Sequence, residues 1–266
     1  MISTRFRIAA KPAAAGIVSK PAAALIAASL ALALAACGGE EGDVTTSASG
    51  PIDPIAAPEG TSWTDMVAAT DEGGYVLGNP DAPLKLVEYA SHTCGACAAF
   101  ATQGKPDLKE EYISTGVVSI EQREVFLNTF DVVLATMIQC GAPERVHALS
   151  DQVWGNLGEV MSGIQQNPEA IQAAGELPME QRFVRIAEAS GFIDFFAARG
   201  LSADEARMCL TDADAIETMV KRADSLSQED EVTGTPTFFI NGNRVDGPQW
   251  SAVEPALQNA GARPAE

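Results

Sequence analysis

The stretch Leu84–Phe100, LKLVEYASHTCGACAAF, decides how the chain is read. An apolar run from Leu84 to Tyr89 gives way to small and polar residues, then to Cys94-Gly95-Ala96-Cys97, then to residues that favour helix. The pattern predicts a buried strand that delivers two cysteines to the first turn of a helix. At that position the unpaired backbone N–H groups and the helix dipole stabilise a thiolate. Two intervening residues let the sulfurs close as a disulfide or part as thiols. The chemistry implied is thiol–disulfide exchange, with Cys94 attacking and Cys97 resolving. A CxxC alone also fits a structural disulfide or half of a metal site, and its place between strand and helix is what favours exchange.

Composition narrows the rest. The chain has 266 residues, 46% of them hydrophobic, and a formal net charge of -19. That is enough apolar material for a sizeable core, and the acidic balance argues against nucleic acid as a partner. The five cysteines are Cys37, Cys94, Cys97, Cys140 and Cys209. Four of them could in principle hold one zinc ion, but only Cys94 and Cys97 have ligand spacing, so no metal is expected. There is no Gly-rich phosphate loop, so no nucleotide cofactor is expected either.

Residues 1–36 read as an export signal. Arg5, Arg7, Lys11 and Lys20 precede an apolar run from Ala22 to Ala36 that is too short for a comfortable membrane span. The run ends in Leu34-Ala35-Ala36-Cys37, which resembles the bacterial lipoprotein signal, so Cys37 is expected to be the acylated first residue of the mature chain. The alternative is an ordinary signal cut after Ala35, leaving Cys37 a free thiol. Gly38 in place of an aspartate points to an outer-membrane anchor in a two-membrane bacterium. Either cut puts the body outside the cytoplasm, facing the periplasm, where disulfides persist. Residues 37–60 are rich in Gly, Ser, Thr, Pro and acids and read as a flexible tether.

The body divides at 61–129, 130–210 and 211–266. In the first part a short helix is expected around Trp63 to Ala69, then a strand at Gly73 to Gly78. The Leu84–Tyr89 strand follows. A helix from Cys94 to about Tyr112 is kinked at Pro106. A strand from Val117 to Phe126 alternates imperfectly, because Glu121, Gln122, Arg123 and Glu124 are all polar. From Phe130 to Leu210 the pattern is helix alone. Val146, Leu149, Val153, Leu157, Val160 and Ile164 step by three and four along one helical face. Ser202 and Glu205 form a capping-box signature. The third part has a helix from Asp212 to Gln228, then a strand through Thr237-Phe238-Phe239-Ile240. An Asn241-Gly242 hairpin turn and a closing helix from Ser251 to Ala260 complete it. The order is that of a small mixed α/β sheet with an all-helical insertion.

A second signal is Thr235-Pro236 immediately before an apolar strand. If cis, such a proline exposes the preceding backbone groups to a substrate strand and leaves no competing donor beside the sulfurs. With the CxxC it resembles the thioredoxin superfamily, and more closely the DsbA-like disulfide oxidoreductases, over roughly Tyr75 to Ala260. VEYASHTCGACAAF and GTPTFFINGNRV carry the likeness.

That resemblance implies a thioredoxin-like fold, with Cys94 the exposed nucleophile and Cys97 the buried resolving thiol. It also implies a cis Thr235–Pro236 bond beside them and Glu88 as a buried acid that helps move the Cys97 proton. The alternative for Glu88 is a solvated carboxylate on an edge strand. The expected partners are exported proteins with cysteines and a membrane or periplasmic redox partner. The chain is expected to be monomeric. The departure is Gly95-Ala96, where strongly oxidising members carry Pro-His. Without that histidine Cys94 should be less acidic and the disulfide less oxidising than in DsbA itself. His92 reads as a polar loop residue that could partly substitute, and His147 as a surface or packing residue. Cys140 and Cys209 fall at the ends of apolar helices and are expected to pair, the alternative being two separate buried thiols. The other functions considered are an isomerase or reductase of the same fold, or a non-catalytic peptide-binding module.

Overall fold

The computed structural model describes residues 50–265, and the expected signal, Cys37 and most of the tether lie outside them. Six strands form one mixed sheet in the order β1-β2-β4-β3-β5-β6. They are β1 (Val67–Ala69), β2 (Tyr75–Gly78), β3 (Leu84–Ala90), β4 (Val118–Glu124), β5 (Thr237–Ile240) and β6 (Asn243–Arg244). Strands β3 and β4 run parallel, and every other pairing is antiparallel. The β5–β6 turn has φ of 48° at Asn241 and 82° at Gly242, which the Asn-Gly pair tolerates.

The register of β3 and β4 explains the flawed alternation. Leu84, Leu86, Glu88 and Ala90 pair with Val118, Ile120, Gln122 and Glu124 on one face. Leu84, Leu86, Val118 and Ile120 join a core with Phe100, Leu108, Phe238 and Leu257. The same face therefore turns from apolar to polar toward the ends of the strands. On the other face Arg123 donates to both carboxylate oxygens of Glu121 and to the Tyr89 hydroxyl, and Tyr89 in turn bonds Asp230. The four polar residues serve two faces.

Helix α1 (Gly95–Gln103) packs back along the sheet and stops at Gly104, where a Cβ would collide with the Trp250 side chain. The expected single helix to Tyr112 is thus three pieces: α1, a turn α2 (Lys105–Asp107) with Pro106 at its start, and a π-turn over Leu108–Tyr112. The insertion follows as α3 (Thr129–Ile138), α4 (Val146–Gly155), α5 (Leu157–Gln166), α6 (Pro168–Gly175), α7 (Met179–Ala189), α8 (Phe192–Ala197) and α9 (Ala203–Thr211). The periodic face read from Val146 to Ile164 is split at Gly155–Asn156 into α4 and α5. These helices enclose a second core, with Val133, Met137, Leu149, Val153, Phe183, Phe192, Phe196 and Leu210 among its members. The long helix α10 (Ala213–Glu229) returns to the sheet, and α11 (Trp250–Asn259) closes the fold.

Two expectations fail locally. Only Trp63–Asp65 is helical, as one 3-10 turn, and Val67–Ala69 is strand β1, pairing with β2 from Val67↔Leu77 to Ala69↔Tyr75. Three residues carry too little periodicity to show themselves. The described end of the tether is also bound: the backbone N–H of Ile52 donates to Gly261, that of Ile55 to Thr115, and the Trp63 indole to the Ile55 carbonyl. Ile52 and Ala57 pack against the sheet core. Gly116, at φ 73°, lets Ile55 and Trp63 lie directly on the backbone there.

Candidate active site

Strand β3 ends at Ala90, and the loop Ser91–Thr93 turns the chain into α1 with Cys94 as its N-cap. The Cys94 sulfur accepts the Cys97 backbone N–H at 3.4 Å. As a thiol it donates to the Thr235 carbonyl at 3.3 Å, and the Thr235–Pro236 peptide is cis. The CxxC and the late Thr-Pro, 141 residues apart, therefore meet. Cys94 is half-buried, Cys97 is buried, and both are free thiols.

The two sulfurs differ in kind. The Cys94 thiol is pulled down to about 5, chiefly by hydrogen bonding from the Cys97 side chain, with the Thr235 side chain and the N–H groups of Cys97 and Ala96 adding to it against the cost of burial. This lies above the ~3.5 of DsbA with its Pro-His dipeptide. Cys97 is pushed far up, by the bond it gives Cys94 and by burial. The pair is thus one thiolate at neutral pH beside a thiol that keeps its proton.

Glu88 lies on β3 between β4 and β5, not on an edge, and is 1% exposed. The solvated alternative is excluded. Neither carboxylate oxygen has a hydrogen-bond partner, and burial pushes the group up to about 8. Lys105 opposes that shift. It is itself buried, with its ammonium bonded to Asp151. A carboxyl that holds its proton at neutral pH, with Cys97 near enough to feel its charge, is suited to passing a proton to or from that thiol.

His92 is not the polar loop residue the sequence suggested. It is fully buried, its ring stacked on Trp154 with centroids 5.0 Å apart. Its Nε2 lies 3.1 Å from Ser150 Oγ and 3.4 Å from Gln122 Nε2, and its Nδ1 lies 3.3 Å from Glu124 Oε2. The last approach is off the hydrogen-bond direction, leaving both atoms unpartnered in that sense. His147 is buried packing, its Nε2 on the Tyr75 carbonyl at 2.8 Å.

Asp131 is a further buried support of the site. It is fully buried and accepts from Ser91 Oγ, Thr93 N, Leu127 N and Asn128 N, so one carboxylate ties the loop before Cys94 to the loop after β4. Asn128 and Asp131 form a capping box on α3, a short-range signal that was available in the sequence. In the insertion, Cys140 and Cys209 are joined by a disulfide with Cα atoms 6.0 Å apart. Among the described residues no three His, Cys, Asp or Glu side chains gather as a metal site, and no helix is long and apolar enough to cross a membrane.

Comparison with known proteins agrees with this geometry. Residues 70–259 match a family model described as Thioredoxin. A Rickettsia bellii protein named as a protein-disulfide oxidoreductase is 24% identical over 190 residues, which is 71% of this chain and 65% of that relative. The chain thus matches about two-thirds of that relative's length. A crystal structure of protein-disulfide isomerase from Novosphingobium aromaticivorans is 28% identical with a TM-score of 0.64, covering 69% of this chain and 94% of that one. Wolbachia pipientis alpha-DsbA1 shares the fold, at 20% identity and a TM-score of 0.58, covering 75% and 96%. The strand-borne CxxC, the cis proline opposite it and the extent of the match together show that this chain belongs to the thioredoxin family.

Proposed function

We propose that the protein is a thiol:disulfide oxidoreductase acting on cysteines of exported proteins. The observation that carries this reading is the split pair: Cys94 at a helix N-cap, its sulfur accepting the Cys97 N–H and its thiol pulled down to about 5, and Cys97 buried with its thiol pushed far up. In the oxidised protein a substrate thiolate attacks Cys94, the Cys94–Cys97 bond breaks, and Cys97 leaves as a thiolate that takes up a proton, with Glu88 placed to supply it. A second substrate thiolate then attacks the substrate sulfur of the mixed disulfide, closing the substrate disulfide and releasing Cys94 as thiolate. Two electrons pass from substrate to protein, and an envelope redox partner must remove them.

Stabilising the Cys94 thiolate stabilises the reduced protein, which makes its disulfide a better oxidant. This supports the oxidant direction. The isomerase direction is kept open by the name of the Novosphingobium structure. A leader at 1–36, acylation at Cys37 and an outer-membrane anchor belong to the same proposal, as does a monomeric state. The test is oxidation of a dithiol peptide by the oxidised protein. Cys94→Ser should abolish it, and a Cys94→Ser protein that still oxidises the peptide refutes the reading. A reduction potential in a glutathione series then fixes the direction. A potential near −120 mV marks an oxidant and one near −270 mV a reductase.

A further inference from the structure

The loop before Cys94 is anchored by a side chain that the exchange reaction as described does not use. We propose that His92 is a positioning residue for exchange at Cys94, held to that task by Glu124; the inference rests on the oxidoreductase reading above. The His92 ring lies flat on Trp154, with 14° between the planes. The Trp154 indole N–H donates to the Ser91 carbonyl at 3.1 Å, and that same carbonyl receives the Cys94 backbone N–H at 3.3 Å. The imidazole therefore props the indole that holds the turn from which Cys94 enters α1.

The ring edge faces three polar side chains. Glu124 on β4 faces Nδ1 at 3.3 Å, while Ser150 on α4 and Gln122 on β4 close round Nε2. Glu124 is held in turn by Gln139 at 3.1 Å. An apolar side chain of similar size could fill this space without the desolvation cost of an imidazole facing a carboxylate. What the polar surroundings add is a defined ring orientation, with Ser150 and Gln122 at Nε2 and the Glu124 carboxylate facing Nδ1. This chain needs that, because Gly95 and Ala96 give Cys94 no side-chain donor, and the sulfur relies on its placement against Cys97, Thr235 and the N–H groups of the helix N-terminus.

The experiment compares wild type, His92→Leu, His92→Gln, Glu124→Leu and the His92→Leu/Glu124→Leu double variant. Three quantities are measured: Cys94 thiolate titration, reduction potential and urea stability. His92→Leu should raise the Cys94 midpoint by about half a unit, roughly a threefold loss of thiolate below the midpoint, and make the couple more reducing. His92→Gln should recover part of the shift. The double variant should regain stability over either single variant, since no buried partner is left alone, yet keep the Cys94 shift. An unmoved Cys94 midpoint in a folded His92→Leu protein overturns the proposal. So does a shift that vanishes in the double variant together with the stability loss, since the ring would then only fill space. If a single variant does not fold, the double variant carries the decision. Wild type without any redox couple would sink the oxidoreductase reading itself, whereas wild type that cycles alongside unshifted variants sinks only the role of His92.

Discussion

The molecule holds two pairs of cysteines, and helix polarity separates them. Cys94 caps the N-terminus of α1, where backbone N–H groups point at its sulfur. Cys209 lies in the last turn of α9 and Cys140 just past the end of α3, where carbonyls point outward. A thiolate is favoured at the first position and opposed at the second. Cys97 sits three positions from its partner, with two residues between them, and both stand as free thiols in the fold. Cys140 and Cys209 tie together points 69 residues apart. The same element thus serves chemistry at one end of a helix and cross-linking at the other.

The contrast can be broken most sharply at the insertion. Replacing Cys140 and Cys209 by alanine should cost about 4 kcal/mol for a 69-residue loop, read from urea unfolding. The Cys94 titration should stay in place. A moved titration would mean the two pairs are not independent.

Next in size is Glu88. Its folded-state value is raised, so its contribution is fully present below about 4.5 and fades as pH climbs through about 8. Wild type should lose on the order of 3 kcal/mol between pH 5 and 8 from this group. Glu88→Leu should flatten that slope, and an unchanged slope would show that Glu88 ionises freely. Asp131→Ala removes an acceptor from four donors and should cost about 2 kcal/mol, with faster hydrogen exchange at Thr93 and Leu127. The smallest effect is at Cys97. Cys97→Ala takes away the leading support of the Cys94 thiolate, so the Cys94 midpoint should rise by about one unit. A midpoint that stays near 5 would hand that role to the helix alone.

What could be read in advance was local. A strand running into CxxC, and Thr-Pro before a strand, are patterns a few residues long, and the structure brings them together. The support beneath them was not legible, because its partners are distant in sequence. His92 meets Gln122, Glu124 and Ser150 across 30, 32 and 58 positions. The four consecutive polar residues from Glu121 to Glu124 were the one visible trace of this. They looked like a poor strand because two of them turn inward to meet a histidine that nothing nearby announced. Strand β1 and the bound segment after Pro51 failed for a related reason. Their order comes from neighbours already folded, the β2 backbone and Gly116, and not from any period of their own.

The binding of Ile52 and Ile55 has a consequence for access. They attach beside Thr115 and Gly261, at the end where β3 and β4 begin, whereas Cys94 stands where β3 finishes, seven strand residues away, or about 20 Å. The body is therefore gripped by its preceding chain at one pole and presents its reactive sulfur at the other. Whatever holds residue 50, the thiolate looks away from the point of attachment and toward whatever client approaches.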